Sequence, residues 1–138
     1  MTATLDFPNR FNAVPESALG LLAQAEDGLA TAESEDNAAQ RFAEAYLAAL
    51  RGAAALLALR GRPHRGHARP MSVWTLLSSV VPELREWAAF FASCSATRAS
   101  VQAGITRAVS PRSADDLARQ TRQFLELVAR MIHGARDQ

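Results

Sequence analysis

The sequence predicts an all-α protein, an antiparallel bundle of four or four-to-five helices. Three observations carry this. Apolar residues recur at i, i+3, i+4 and i+7 in four long stretches, and no stretch alternates with the period of a strand. Pro falls between or at the ends of those stretches rather than within them, apart from Pro82. The first connection, Ser34 to Asn37, is short enough to make its two helices antiparallel neighbours.

The elements follow in order. Residues 1–14 read as an N-terminal arm, in which Phe7 and Phe11 flank Pro8 and Asn9 and are expected to dock on the bundle. Pro15 fits the first position of a helix reaching about Ala32, with Leu19, Leu22, Ala25, Leu29 and Ala32 on one stripe. Glu16, Glu26, Asp27, Glu33, Glu35 and Asp36 make the same stretch acidic, with no basic residue among them.

The longest helix signal runs from Asn37 to Arg60. Asn37 caps it, Gln40 completes a capping box, and Gly61 and Pro63 stop it. Phe42, Tyr46, Ala49, Leu50, Ala53, Leu56 and Leu57 form its stripe, and its many Ala residues let a neighbouring helix approach closely. Tyr46 is expected to bury its ring with its hydroxyl at the edge, and Arg51 to face solvent. Arg60 to Pro70 is a loop, given its Gly and Pro.

Ser72 caps the third helix, whose stripe is Trp74, Leu77, Val81, Leu84, Ala88, Phe91 and Ser95, widened by Val80, Trp87 and Phe90. Pro82 should divide it at Val81. Trp74, Trp87, Phe90 and Phe91 make this the heaviest apolar face, expected to be central or to meet a second subunit. Ala99 to Gln102 extend the helix and Gly104 breaks it, while Ile105 and Val109 are expected to fold back onto the core. Ser113, with Asp116 in the reciprocal position, should cap the last helix. Leu117, Thr121, Phe124, Leu125, Val128, Met131 and Ile132 line it, and Gly134 ends it before a 134–138 tail. Residues 15–133 thus read as one domain, which suits a chain of 138 residues.

Composition removes several function classes. The net charge is +1, so no whole-molecule field draws the chain to nucleic acid or an anionic membrane. All the basic residues are Arg, the side chain best matched to phosphate and carboxylate forks. The one cysteine, Cys94, permits no internal disulfide and reads as core. With no basic-then-apolar leader pattern, a cytoplasmic location is expected. The longest apolar run, Ala53 to Leu59, is too short to span a bilayer, so no membrane partner is expected. No Gly-rich phosphate loop, HExxH, CxxC or ExxH pair is present, so no metal or other cofactor is expected. His133 reads as a surface residue near a helix C-terminus.

The remaining candidate for chemistry is the loop after the second long helix. Arg60, Arg62, His64, Arg65, His67 and Arg69 lie there with no acidic residue among them, which suits an anion: a nucleotide phosphate, nucleic acid or an acidic protein face. The plain alternative is a solvated charged turn.

RFAEAYLAALRGAAALLALR, then WTLLSSVVPELREW, then a last helix ending FLELVARMI, resembles the HEPN superfamily (higher eukaryotes and prokaryotes nucleotide-binding domains). The likeness is to a small Ala/Arg-rich bacterial branch, over about residues 15–133. It implies a HEPN-like bundle, a homodimer and a binding or regulatory role. Many members are metal-independent ribonucleases with an Arg-x4-6-His motif near the start of the last long helix, where His serves acid–base chemistry and Arg steadies phosphate charge. Here the segment entering that helix, RAVSPRSADDLARQTRQ, has no His, so those roles are not carried over. The spacing recurs as Arg62-x4-His67 and Arg60-x6-His67 in the loop, which leaves a ribonuclease using Arg62 and His67 as the alternative. A third reading is a protein-interaction adaptor whose acidic first helix meets a basic partner.

Overall fold

Periodic burial sorts the described residues, 14–61 and 72–136 of a computed structural model, into five helices. They are α1 (Glu16–Glu33), α2 (Ala38–Arg60), α3 (Val73–Val80), α4 (Arg85–Gln102) and α5 (Pro111–Arg136), with a single 3-10 turn, Pro82–Leu84, between α3 and α4. No strand occurs among the described residues.

α2 is the centre, and every other helix packs on it. Its small residues explain how. Ala45, Ala48, Ala49, Ala53 and Ala55 are fully buried, so the α1 and α5 backbones come close on two sides. Gly52 marks the tightest approach: a Cβ there would overlap Leu125 Cδ2 of α5 and lie 3.5 Å from Phe124 Cε2. α1 runs antiparallel to α2, whereas α5 runs parallel to it. Arg41 meets Asp115 at one end, Thr121 Oγ1 donates to the Ala45 carbonyl at 3.4 Å, and Gly52 meets Leu125 further along. α4 returns antiparallel to both, with Glu83 beside Arg60 at its start and Arg98 over the Tyr46 ring towards its end. The four long helices therefore alternate in direction along the chain, an up-down-up-down bundle.

By length and composition α2 could cross a membrane, although its longest uninterrupted apolar run is short. More than half of its most apolar window is buried in the bundle, so the same composition serves a core helix.

The helix ends show local chemistry at work. Asn37 Oδ1 accepts from the Gln40 backbone N–H at 2.9 Å, but the Gln40 side chain donates to Glu44 instead of returning to Asn37. Glu35 takes the Asn37 N–H at 3.2 Å, so half of the expected capping box is supplied from the preceding turn. Gly61, at φ 78°, ends α2, and Gly104, at φ 86°, turns the chain after α4; an L side chain would be strained at either. Ser72 caps α3 through the Thr75 N–H at 3.1 Å. Pro82 divides the third helix after Val81, as its missing N–H and ring demand.

Several expectations are corrected. Pro15 is the residue before α1, not its first helical residue. α5 is capped one turn earlier than Ser113 and Asp116 suggest: Ser113 N–H donates to Ser110 Oγ at 3.0 Å and Ser110 N–H to Ser113 Oγ at 2.9 Å, with Pro111 opening the helix. α5 continues through Gly134 to Arg136. Ser95 is exposed, and the fully buried residues of α4 are Ala88 and Phe91 alone. Val109 packs against the core, but Ile105 is exposed.

The core has two textures. Between α1, α2 and α5 it is Ala and Leu. Between α2, α3, α4 and α5 it is an aromatic cluster: Trp74 stacks on Phe91 at 5.0 Å, and Phe91 tilts against Phe124 at 5.0 Å. Tyr46 belongs to this cluster. Its hydroxyl is buried, not at the edge, and accepts from Trp74 Nε1 at 2.8 Å.

Candidate functional site

The basic loop begins where α2 ends. Arg60, its first residue, stands in a partly exposed ion pair: Nη2 lies 3.2 Å from Glu83 Oε2 on the 3-10 turn. The Glu83 backbone hydrogen bond, and then Arg60, hold the Glu83 carboxyl below the usual glutamate value. Arg62, His64, Arg65, His67 and Arg69 lie outside the described residues. The structure therefore places one of the six candidate anion-binding residues, and places it in an ion pair.

The four aromatic candidates for a core or dimer face separate into two pairs. Trp74 and Phe91 are buried core residues and cannot meet a partner. Their helical phase explains it, since both turn towards Phe124. Trp87 is half-buried, and Phe90 is 37% exposed. These two line an open cleft of about 460 Å³ together with Glu83, Glu86 and Gln120. It exists because α4 and α5 meet through side chains, Phe91 and Trp87 against Phe124, while their backbones scarcely approach. Of the two places expected for this aromatic face, the centre is taken by α2, and α4 is a peripheral helix with one aromatic edge open.

The opposite side is polar and largely self-paired. Arg122 of α5 forks onto Glu33 at the end of α1, with Nε 2.9 Å from Oε2. Arg41, mostly buried, donates to the Glu35 and Asp36 carbonyls at 2.6 and 3.3 Å, and its Nε lies 3.0 Å from Asp115. Asp116 pairs with Arg119. The acidic stretch of α1 is thus partly neutralised within the chain, although Glu26 remains on the rim of a smaller groove of about 250 Å³ between α1 and α5. Sequence reasoning did not identify Arg41 or Arg122 as ties between helices. Their partners lie far along the chain, and no local pattern marks them.

Among the described residues no three His, Cys, Asp or Glu side chains gather as metal ligands. Cys94 is half-buried, and burial pushes its thiol above the usual value, so it holds its proton at neutral pH. His133 is exposed near the far end of α5.

The start of α5, where the resemblance expects an Arg-x4-6-His motif, is filled by a capping Ser pair and two ion-paired Asp residues. A family model described as HEPN_SAV_6107-like HEPN matches residues 32–129, from the end of α1 to late in α5. No curated protein and no solved structure gave a match.

Proposed function

Because the chain belongs to the HEPN_SAV_6107-like HEPN family, we propose that it is a non-catalytic binding or regulatory module, homodimeric in the cytoplasm, that associates with nucleotides or nucleic acid. The observation that carries this reading is the entry to α5. Residues 107–123 contain no His, and the polar groups there serve structure: Ser110 and Ser113 cap each other, and Asp115 holds Arg41. General acid–base chemistry on a ribose hydroxyl needs a titratable group within hydrogen-bond reach. That segment offers two carboxylates already occupied by arginines.

The experiment is binding of a labelled single-stranded RNA across salt concentrations, with RNA length read on a gel and protein mass by light scattering. With Arg60 committed to Glu83, three loop arginines remain, Arg62, Arg65 and Arg69. The log–log salt slope should then be about −2, at roughly −0.7 per phosphate contact. Intact RNA bound with that slope to a protein of twice the chain mass supports the module. Shortened RNA, with cleavage lost in His67→Ala, overturns it in favour of the ribonuclease. A strict monomer at micromolar concentration removes the dimer.

A further inference from the structure

The cleft between α4 and α5 combines three features that together select a ligand. The first is a pre-set aromatic wall. Trp87 stacks on Phe91 at 6.0 Å and leans on Phe124 at 5.6 Å, so its indole is held from behind. Phe90 stands edge-on to Phe91 at 5.1 Å and leaves its outer part in solvent. The second is charge. Glu83 and Glu86 flank the aromatic pair, and Glu86 has no ion-pair partner among the described residues. The neighbouring Arg85 donates to the Pro82 carbonyl at 3.4 Å and forms no ion pair with Glu86. The third is precedent within the molecule, since Glu83 already takes one guanidinium, that of Arg60.

An aromatic face beside an unpaired carboxylate is chemistry for a cation. A guanidinium suits it better than an ammonium, because it is planar, stacks on an indole and still presents its N–H fork to a carboxylate. The Gln120 amide on the α5 side supplies a further acceptor. The volume of about 460 Å³ lies in the usual range of binding pockets, which leaves room for a second, apolar side chain on Phe90.

We propose that this cleft docks an arginine-bearing segment of a partner protein, its guanidinium over the Trp87 indole and paired with Glu86, an adjoining apolar side chain covering Phe90. The proposal deepens the binding-module reading and rests on it, naming a partner chemistry for the cleft.

The test uses the full chain and a fluorescein-labelled synthetic peptide of alternating arginine and leucine, read by fluorescence anisotropy. Its two comparison peptides replace arginine with citrulline, which keeps the shape without the charge, or with lysine. Saturable binding is expected, weakened about tenfold by citrulline and less by lysine. Glu86→Gln and Phe90→Ser, both at exposed positions, should each weaken the arginine peptide several-fold with the helical circular dichroism unchanged. Glu26→Gln, on the opposite groove, should leave binding as it is. Trp87→Leu should abolish it, but Trp87 also packs on Phe124, so the two surface variants decide. Equal binding of the citrulline peptide, no saturation, or indifference to Glu86→Gln would overturn the proposal. So would a cleft that a second copy covers, seen as a Phe90→Ser variant that loses its dimer mass while the peptide fails to compete. Mass and RNA binding are read on the same samples. If both fail, the module reading falls; if peptide binding alone fails, only the cleft's assignment falls.

Discussion

Trp74 Nε1 donates to the Tyr46 hydroxyl in the buried core. A buried donor left without an acceptor costs about 1–3 kcal/mol, more than the net worth of the bond itself. Tyr46→Phe should therefore lower unfolding stability by that amount. Trp74→Phe loses indole packing against Phe91 and Phe124 as well and should cost more. In the double variant the orphaned polar group disappears from both sides, so its loss should be smaller than the sum of the singles. Urea unfolding of the three variants measures this, and strict additivity would contradict the pairing. Two glycines give a second contrast. Gly20 lies on the exposed face of α1 with nothing near its missing Cβ, so Gly20→Ala should stabilise by about 0.5–1 kcal/mol through helix propensity. Gly52 faces Leu125, and Gly52→Val should destabilise by about 1–3 kcal/mol through overpacking. The need for a small residue is legible in the Ala-rich sequence of α2. Which position needs no side chain at all is not, because that depends on where α5 crosses.

At the scale of elements, local signals placed the helices well. Asn37, Ser72, Gly61 and Pro82 each act on their own few residues, and each ends or starts an element where such chemistry should. The cap of α5 shows how a local signal can be satisfied twice. Ser113 and Asp116 have the right spacing, but so do Ser110 and Ser113, and Pro111 at the first helical position favours the earlier pair. Ser110→Ala should therefore cost about 1 kcal/mol. Asp116→Ala should change stability by no more than about 0.5 kcal/mol, because its bond to Arg119 is an exposed i,i+3 pair. Thermal unfolding of the two variants separates the assignments. The tie between the end of α2 and the 3-10 turn was not legible, since Arg60 and Glu83 stand 23 residues apart. Its sign is fixed by the lowered Glu83 value. The contribution of Glu83 is fully present above the ordinary glutamate range and is lost as pH falls through the lowered folded value. Arg60→Gln should raise the Glu83 midpoint, followed by carboxyl NMR, without restoring the ordinary value, because the backbone hydrogen bond is the larger cause.

For the whole molecule, the arrangement around α2 makes stability uneven. α2 is held by α1, α5, α4 and α3, whereas α4 buries only Ala88 and Phe91 and has no fully buried residue after Phe91. Apolar periodicity identified the bundle, but the aromatic content of α4 left two places open for it, the centre or an interface. Phe90 and Phe91 are adjacent and equally apolar, and only packing against Phe124 decides which one turns inward. The same uncertainty of phase hid the cleft, because Trp87 and Glu86 become neighbours of Gln120 only once α5 is in place. Opening free energies follow buried contacts, so amides should exchange in a definite order. The slowest should be those from Ala43 to Leu57 in α2 and from Leu117 to Val128 in α5, exchanging only on global unfolding. Ser95 to Gln102 of α4 should exchange faster, through sub-global opening that leaves α1, α2 and α5 intact. Native-state hydrogen exchange at two protein concentrations tests this. If the end of α4 is as protected as α2 at every concentration, the peripheral placement of α4 is wrong. If its protection rises with concentration while that of α2 does not, a second copy covers α4, and the residues around Phe90 are where a substitution should first release it.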